Sequence, residues 1–177
     1  LSAQTKKLIT LAKNGDADAF GELYELYYKE MYCYACCVTG NETLAQDAVQ
    51  DAVLSAFKQI GSLKNEAAFK GWLFTILRAS CNRQYTKCEA AKAFVYIDDE
   101  DSTVTELASE SNLELSVEMR QALESVSAEE REIILLSTLG NYRSHEIAEI
   151  LGVNASTVRS KLKRALKKMR EYLDDNN

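Results

Sequence analysis

The stretch "SHEIAEILGVNASTVRSKLKRALKKMR", Ser144–Arg170, decides how the chain is read. Its opening residues place Ile147, Ala148 and Leu151 on one helical face, and Ala148 is small enough for a second helix to cross closely. Gly152 follows where a helix ends in a left-handed residue. Val153 is apolar and plugs the corner, and Asn154 is placed to cap the next helix. A second inward stripe then begins: Val158, Leu162, Leu166, Met169 and Leu173. Two helices packed at a wide angle about a glycine corner make a helix-turn-helix.

The other face of the second helix carries Ser156, Arg159, Ser160, Lys163 and Lys167, flanked by Arg164. From Asn154 to Tyr172 there are seven bases against one acid, in a chain whose net charge is −6. The first residues of such a helix reach base edges in a major groove, and the later bases meet phosphate. A charge run on a bundle helix can also be merely solvated; the helix-turn-helix spacing turns the reading towards DNA. The acidity lies elsewhere, in a linker and in the first helices. A negative net charge weakens DNA binding by the chain alone and suggests that a larger partner carries it there.

Working outward, 177 residues suffice for one or two small domains. The chain has no proline, alternating strand patterns are hard to find, and long helical runs go uninterrupted, so the expected class is all-α. No apolar run approaches the ~20 residues of a membrane span. The start, "LSAQTKKLITLAKNGD", makes a poor signal peptide, and both features point to the cytoplasm and to no membrane insertion. Five cysteines form no disulfide framework. Cys33 and Cys36 with Cys81 or Cys88 could be imagined around zinc, but structural zinc pairs sit on turns, and these lie within helical runs. They read as small core residues, and no metal or cofactor is expected. No catalytic constellation or phosphate-binding glycine loop is visible, so the chain is not read as an enzyme.

Charge marks the boundaries. From Tyr96 to Glu118 there are eight acids and no base. Residues 94–112 therefore read as a flexible acidic linker between an N-terminal helical domain, 1–93, and a C-terminal one, 113–177, which holds four helices. In the first domain the spacing predicts helices over about Gln4–Lys13, then to Thr39 with Phe20, Leu23, Tyr24, Tyr27, Met31 and Tyr34 inward. Two more follow, over about Glu42–Ile60 with Leu44, Ala48, Ala52 and Phe57 along it, and over about Ala67–Ala91. Asp16 or Asp18 caps the second helix, and Ser127-x-x-Glu130 is a capping box.

These residues resemble a family. "SAEEREIILLSTLGNYRSHEIAEILGVNASTVRSKLKRALKKMR" is similar to the C-terminal DNA-binding domain of bacterial extracytoplasmic-function sigma factors. "LITLAKNGDADAFGELYELYYKEMY" resembles that family's opening helices, "DAVQDAVLSAFKQI" its polymerase-clamping helix, and "FKGWLFTILRASCNRQY" its promoter-melting helix. The resemblance implies a subunit that binds core RNA polymerase, recognises two promoter DNA elements and opens the duplex, held in check by an anti-sigma factor. By position it assigns Asp47, Gln50 and Asp51 to core polymerase binding; their i, i+3, i+4 spacing shares one helix face. It assigns the minus-ten element to the fourth helix, with Phe69, Trp72, Leu73, Ile76 and Ser80 inward and Arg78, Asn82, Arg83 and Lys87 towards DNA. The loop residues Ser62, Lys64 and Asn65 would hold a flipped base. The minus-thirty-five element falls to Ser156, Arg159, Ser160, Lys163, Arg164 and Lys167. Ala79 stands where many members carry asparagine. Arg143 stands where many carry a capping serine, a role Ser144 is placed to take. The rival readings are a stand-alone helix-turn-helix regulator, which would bind paired half-sites without polymerase, and a sigma-like decoy that only occupies an anti-sigma protein.

Overall fold

The computed structural model describes residues 2–95 and 117–176, all helix and turn. The first half holds α1 (Ala3–Lys13), α2 (Ala17–Thr39), α3 (Glu42–Gln59), two 3₁₀ turns (Ile60–Ser62 and Glu66–Ala68) and α4 (Phe69–Val95). The second half holds α5 (Val117–Glu124), α6 (Ala128–Thr138), α7 (Ser144–Leu151) and α8 (Ala155–Asp175). The acidic linker expected over 94–112 lies outside the described residues, apart from the last two residues of α4.

Local chemistry sets the ends. Asp16, not Asp18, caps α2, accepting from the Ala19 N–H at 3.0 Å. Gly40 ends it in the left-handed region, and Asn41 caps α3 through the Leu44 N–H at 3.0 Å. The Ser127–Glu130 box closes in both directions: the Ser127 hydroxyl accepts from the Glu130 N–H, and the Glu130 carboxylate accepts from the Ser127 N–H. Ser144 does not cap α7. Arg143 takes that place, and the Glu146 carboxylate reaches back to accept its N–H at 2.7 Å. Asn154 stands at the N-cap of α8 without a side-chain cap bond.

Apolar burial then assembles the helices. Of the expected inward stripe of α2, Phe20, Leu23, Tyr27, Met31 and Tyr34 are buried, while Tyr24 is only half-buried at its margin. On α3 the buried face is Ala45, Ala48, Val49, Ala52 and Ala56, while Phe57 is 40% exposed. A face built mostly of alanine lets helix axes approach closely, and α3 packs on both α2 and α4. On α4 the core residues are Phe69, Leu73, Phe74, Leu77, Ser80 and Cys81; Trp72 and Ile76 sit only at its edge.

The two halves touch along a seam. Phe74 of α4 meets Tyr142, just before α7, edge to face at 5.7 Å. Lys70 Nζ donates to the Gly140 carbonyl at 3.0 Å, pairs with Glu30 at 2.7 Å, and lies over the rings of Tyr27 and Tyr142. Glu132 of α6 is the hub: its Oε1 accepts from the Tyr34 hydroxyl at 2.5 Å and from Arg78 Nε at 2.7 Å. Burial and the Glu132 charge beside it push the Tyr34 hydroxyl well above its usual range, so it stays a proton donor.

Candidate nucleic-acid interface

The corner between α7 and α8 is made by Gly152, at φ 69°, a left-handed conformation that costs glycine nothing. It aims α8 so that Val158, Ala165 and Met169 are buried against the rest of the domain, with Leu162, Tyr172 and Leu173 at the margin. Leu166, expected inward, is 47% exposed, and Ala165 occupies the core in its stead. The six residues expected at the minus-thirty-five element, Ser156, Arg159, Ser160, Lys163, Arg164 and Lys167, are all exposed.

The bases of α8 fall into two groups. Lys161 pairs with Glu129, Lys168 with Glu130 at 3.0 Å, and Lys167 with Glu171 one turn on at 3.3 Å. The first two fasten α8 to α6; the third pair is solvated and worth little. Arg159, Lys163 and Arg164 have no ion pair among the described residues, so they keep donors and charge for an outside acceptor. The Ser160 hydroxyl is turned back on the helix, donating to the Thr157 carbonyl at 3.0 Å.

On α4 the expected minus-ten residues divide. Asn82, Arg83 and Lys87 are exposed, Arg83 donating to the Ser80 hydroxyl at 2.8 Å. Arg78 is drawn into the seam by Glu132, its side chain 33% exposed. Lys70, a further base of α4, is engaged in the same seam. Spacing along α4 could not reveal either partner. Ser62, Lys64 and Asn65 are exposed on the loop before α4. That loop is braced from within: the Ser62 hydroxyl donates to the Gln59 carbonyl at 2.7 Å, and Asn65 Oδ1 accepts from the Ala67 N–H at 3.0 Å.

On α3, Asp47 and Gln50 are exposed and Asp51 is half-buried, its carboxylate accepting from Gln84 Nε2 at 2.7 Å. The bond ties the acidic face of α3 to α4. The same face continues to Leu54, 58% exposed. Its position, four residues beyond Gln50, was the available signal for an apolar neighbour of the acidic group.

Two of the cysteines are held as thiols. Burial pushes the Cys36 thiol up to about 11 and the Cys81 thiol up to about 12. Among the described residues no helix is long and apolar enough to cross a membrane.

Comparison with known proteins gives this geometry a context. The model of sigma-70 region 2 matches residues 23–90, and that of sigma-70 region 4 matches residues 116–169. The chain is 27% identical to the ECF RNA polymerase sigma factor SigW of Bacillus subtilis over 184 residues, covering 96% of this chain and 97% of that protein. Among solved structures it is similar to the sigma factor RpoE in complex with the anti-sigma factor NepR from Bartonella quintana. The TM-score is 0.68 and the identity 26%, over 89% of this chain and 98% of that one. It shares the fold of CnrH, solved with the cytosolic domain of CnrY, at a TM-score of 0.73 and 22% identity over 98% and 99% of the two chains.

Proposed function

The chain belongs to the extracytoplasmic-function branch of the sigma-70 family, and we propose that its two halves divide a sigma factor's work as the exposed residues divide. It is a sigma factor: it binds core RNA polymerase, recognises promoter DNA and directs transcription initiation, with an anti-sigma factor as a further partner. Residues 1–93 carry polymerase binding, through Asp47, Gln50 and Asp51, and capture of the minus-ten element. That capture uses Ser62, Lys64 and Asn65 on the loop and Arg78, Asn82, Arg83 and Lys87 on α4. Residues 113–177 carry the minus-thirty-five element on α8.

The observation that carries this division is the outward face of α8, where Arg159, Lys163 and Arg164 stand exposed beside a well-packed helix-turn-helix. An arginine there can address a guanine edge with two parallel bonds, and a lysine can address phosphate as a point charge. The work is binding, not catalysis. Each unstacked base held by the protein offsets part of the cost of unpairing, and stacking contributes ~1–3 kcal/mol per base in single-strand binders. A polymerase subunit of this kind acts in the cytoplasm.

The test is in vitro transcription with purified core polymerase on genomic fragments. Start sites that require this chain are expected. Duplex binding as a dimer in the absence of polymerase, without such start sites, would return the chain to the stand-alone regulators.

A further inference from the structure

A cleft of about 340 Å³ separates α1 from the loop that follows α3, and is lined by Lys6, Lys13, Lys64, Asn65, Glu66 and Ala67. Three lining side chains are cationic and one is anionic, a local reversal in a chain of net charge −6. Lys6, Thr10 and Lys13 recur at helical spacing and form one line along α1. The Thr10 hydroxyl donates to Glu66 Oε1 at 2.9 Å, which fastens the middle of that line to the second 3₁₀ turn and engages the cleft's acid. The opposite wall is braced by the Asn65 bond to the Ala67 N–H. The cleft is open to solvent, with Lys6 and Lys13 about 10 Å apart along α1 and Lys64 on the facing loop.

The cleft begins at the loop assigned to the flipped base: Lys64 and Asn65 belong to both. Helix α1 forms the facing wall beside that loop. Lysine contacts phosphate without reading sequence, and a protein partner would need an apolar anchor, whereas Ala67 is the single apolar side chain in the lining. Helix α1 lies outside the residues 23–90 that match sigma-70 region 2, so the family match gives it no role.

We propose that this cleft holds the phosphate backbone of single-stranded promoter DNA next to the captured base, with Lys6 and Lys13 as phosphate contacts. The proposal rests on the minus-ten reading of the 62–65 loop. Its test uses holoenzyme assembled from core polymerase and the full chain, and a fluorescent single strand covering the non-template minus-ten region of a start site mapped by in vitro transcription. In K6Q/K13Q the slope of log affinity against log salt should be shallower by about 1.4, two single-strand phosphate contacts at ~0.7 each. K7Q, whose lysine is exposed but outside the cleft, should keep the parent slope. An unchanged slope in K6Q/K13Q, with mapped start sites and tight binding by the parent, overturns the cleft assignment alone. Failure to find any start site dependent on the chain overturns both the assignment and the minus-ten reading beneath it.

Discussion

At the scale of single residues, Gly140 shows how a substitution of one carbon can be intolerable. A Cβ there would lie 2.3 Å from the Tyr142 ring and 2.7 Å from the Leu136 carbonyl. Since that ring is packed against Phe74 and under Lys70, it has no room to yield. Gly140→Ala is expected to cost about 1–3 kcal/mol, the range for overpacking, measurable as a lowered denaturant midpoint. Glu130 makes the companion case in charge. It is buried, and the Lys168 ammonium bonded to it, with help from Ser127, holds its carboxyl below the ordinary 4.5. A depressed folded value means the stabilisation is present above the unfolded value and is lost as pH falls through the folded one. The thermal midpoint of the chain should therefore drop on acidification below about pH 4.5, and Lys168→Met should flatten that part of the profile. The box between Ser127 and Glu130 could be read from four consecutive residues; the lysine thirty-eight positions on could not.

At the scale of the element, α8 separates what residue type suggests from what angle dictates. At 100° per residue Ala165 lies only about 20° from Val158 around the helix, whereas Leu166 lies about 80° away. The bulkier side chain looked like the core residue, but the smaller one sits on the axis of the buried face. Met169→Ala should cost about 2–5 kcal/mol as a buried large-to-small change, while Leu166→Lys should stay within about 0.5 kcal/mol in the same unfolding assay. The reverse order would restore the stripe expected from residue type. The outward face has its own test. Arg159→Ala or Arg164→Ala should weaken binding at the minus-thirty-five element by roughly 1–3 kcal/mol if that arginine reads a base, with an unchanged melting temperature. Full affinity in both variants would remove the recognition helix from α8.

At the scale of the whole molecule, Glu132 joins what the charge pattern divided. Its carboxylate binds Tyr34 of α2 and Arg78 of α4, so removing it leaves a buried hydroxyl without its acceptor. Glu132→Ala should cost about 1–3 kcal/mol by that loss, and calorimetry should then show the halves unfolding in separate transitions. A single transition at the parent temperature would mean that the seam contributes nothing. Glu132 engages Arg78 through Nε, so while the seam is closed Arg78 offers an outside acceptor only its Nη donors. What the amino-acid sequence determined by itself was local: helical class, caps such as Asp16 and Ser127, the glycine corner at Gly152 and the exposed basic face of α8. Each is written within a few turns of helix, where periodicity and capping chemistry act over neighbouring residues. Only the tertiary structure decided that Arg78 and Lys70 face the other half, and that Lys6 and Lys13 share a cleft with Lys64. Those pairings cross 51 or more positions of the chain, 70 for Lys70 with Gly140, and spacing along one helix names a face without naming what that face will meet.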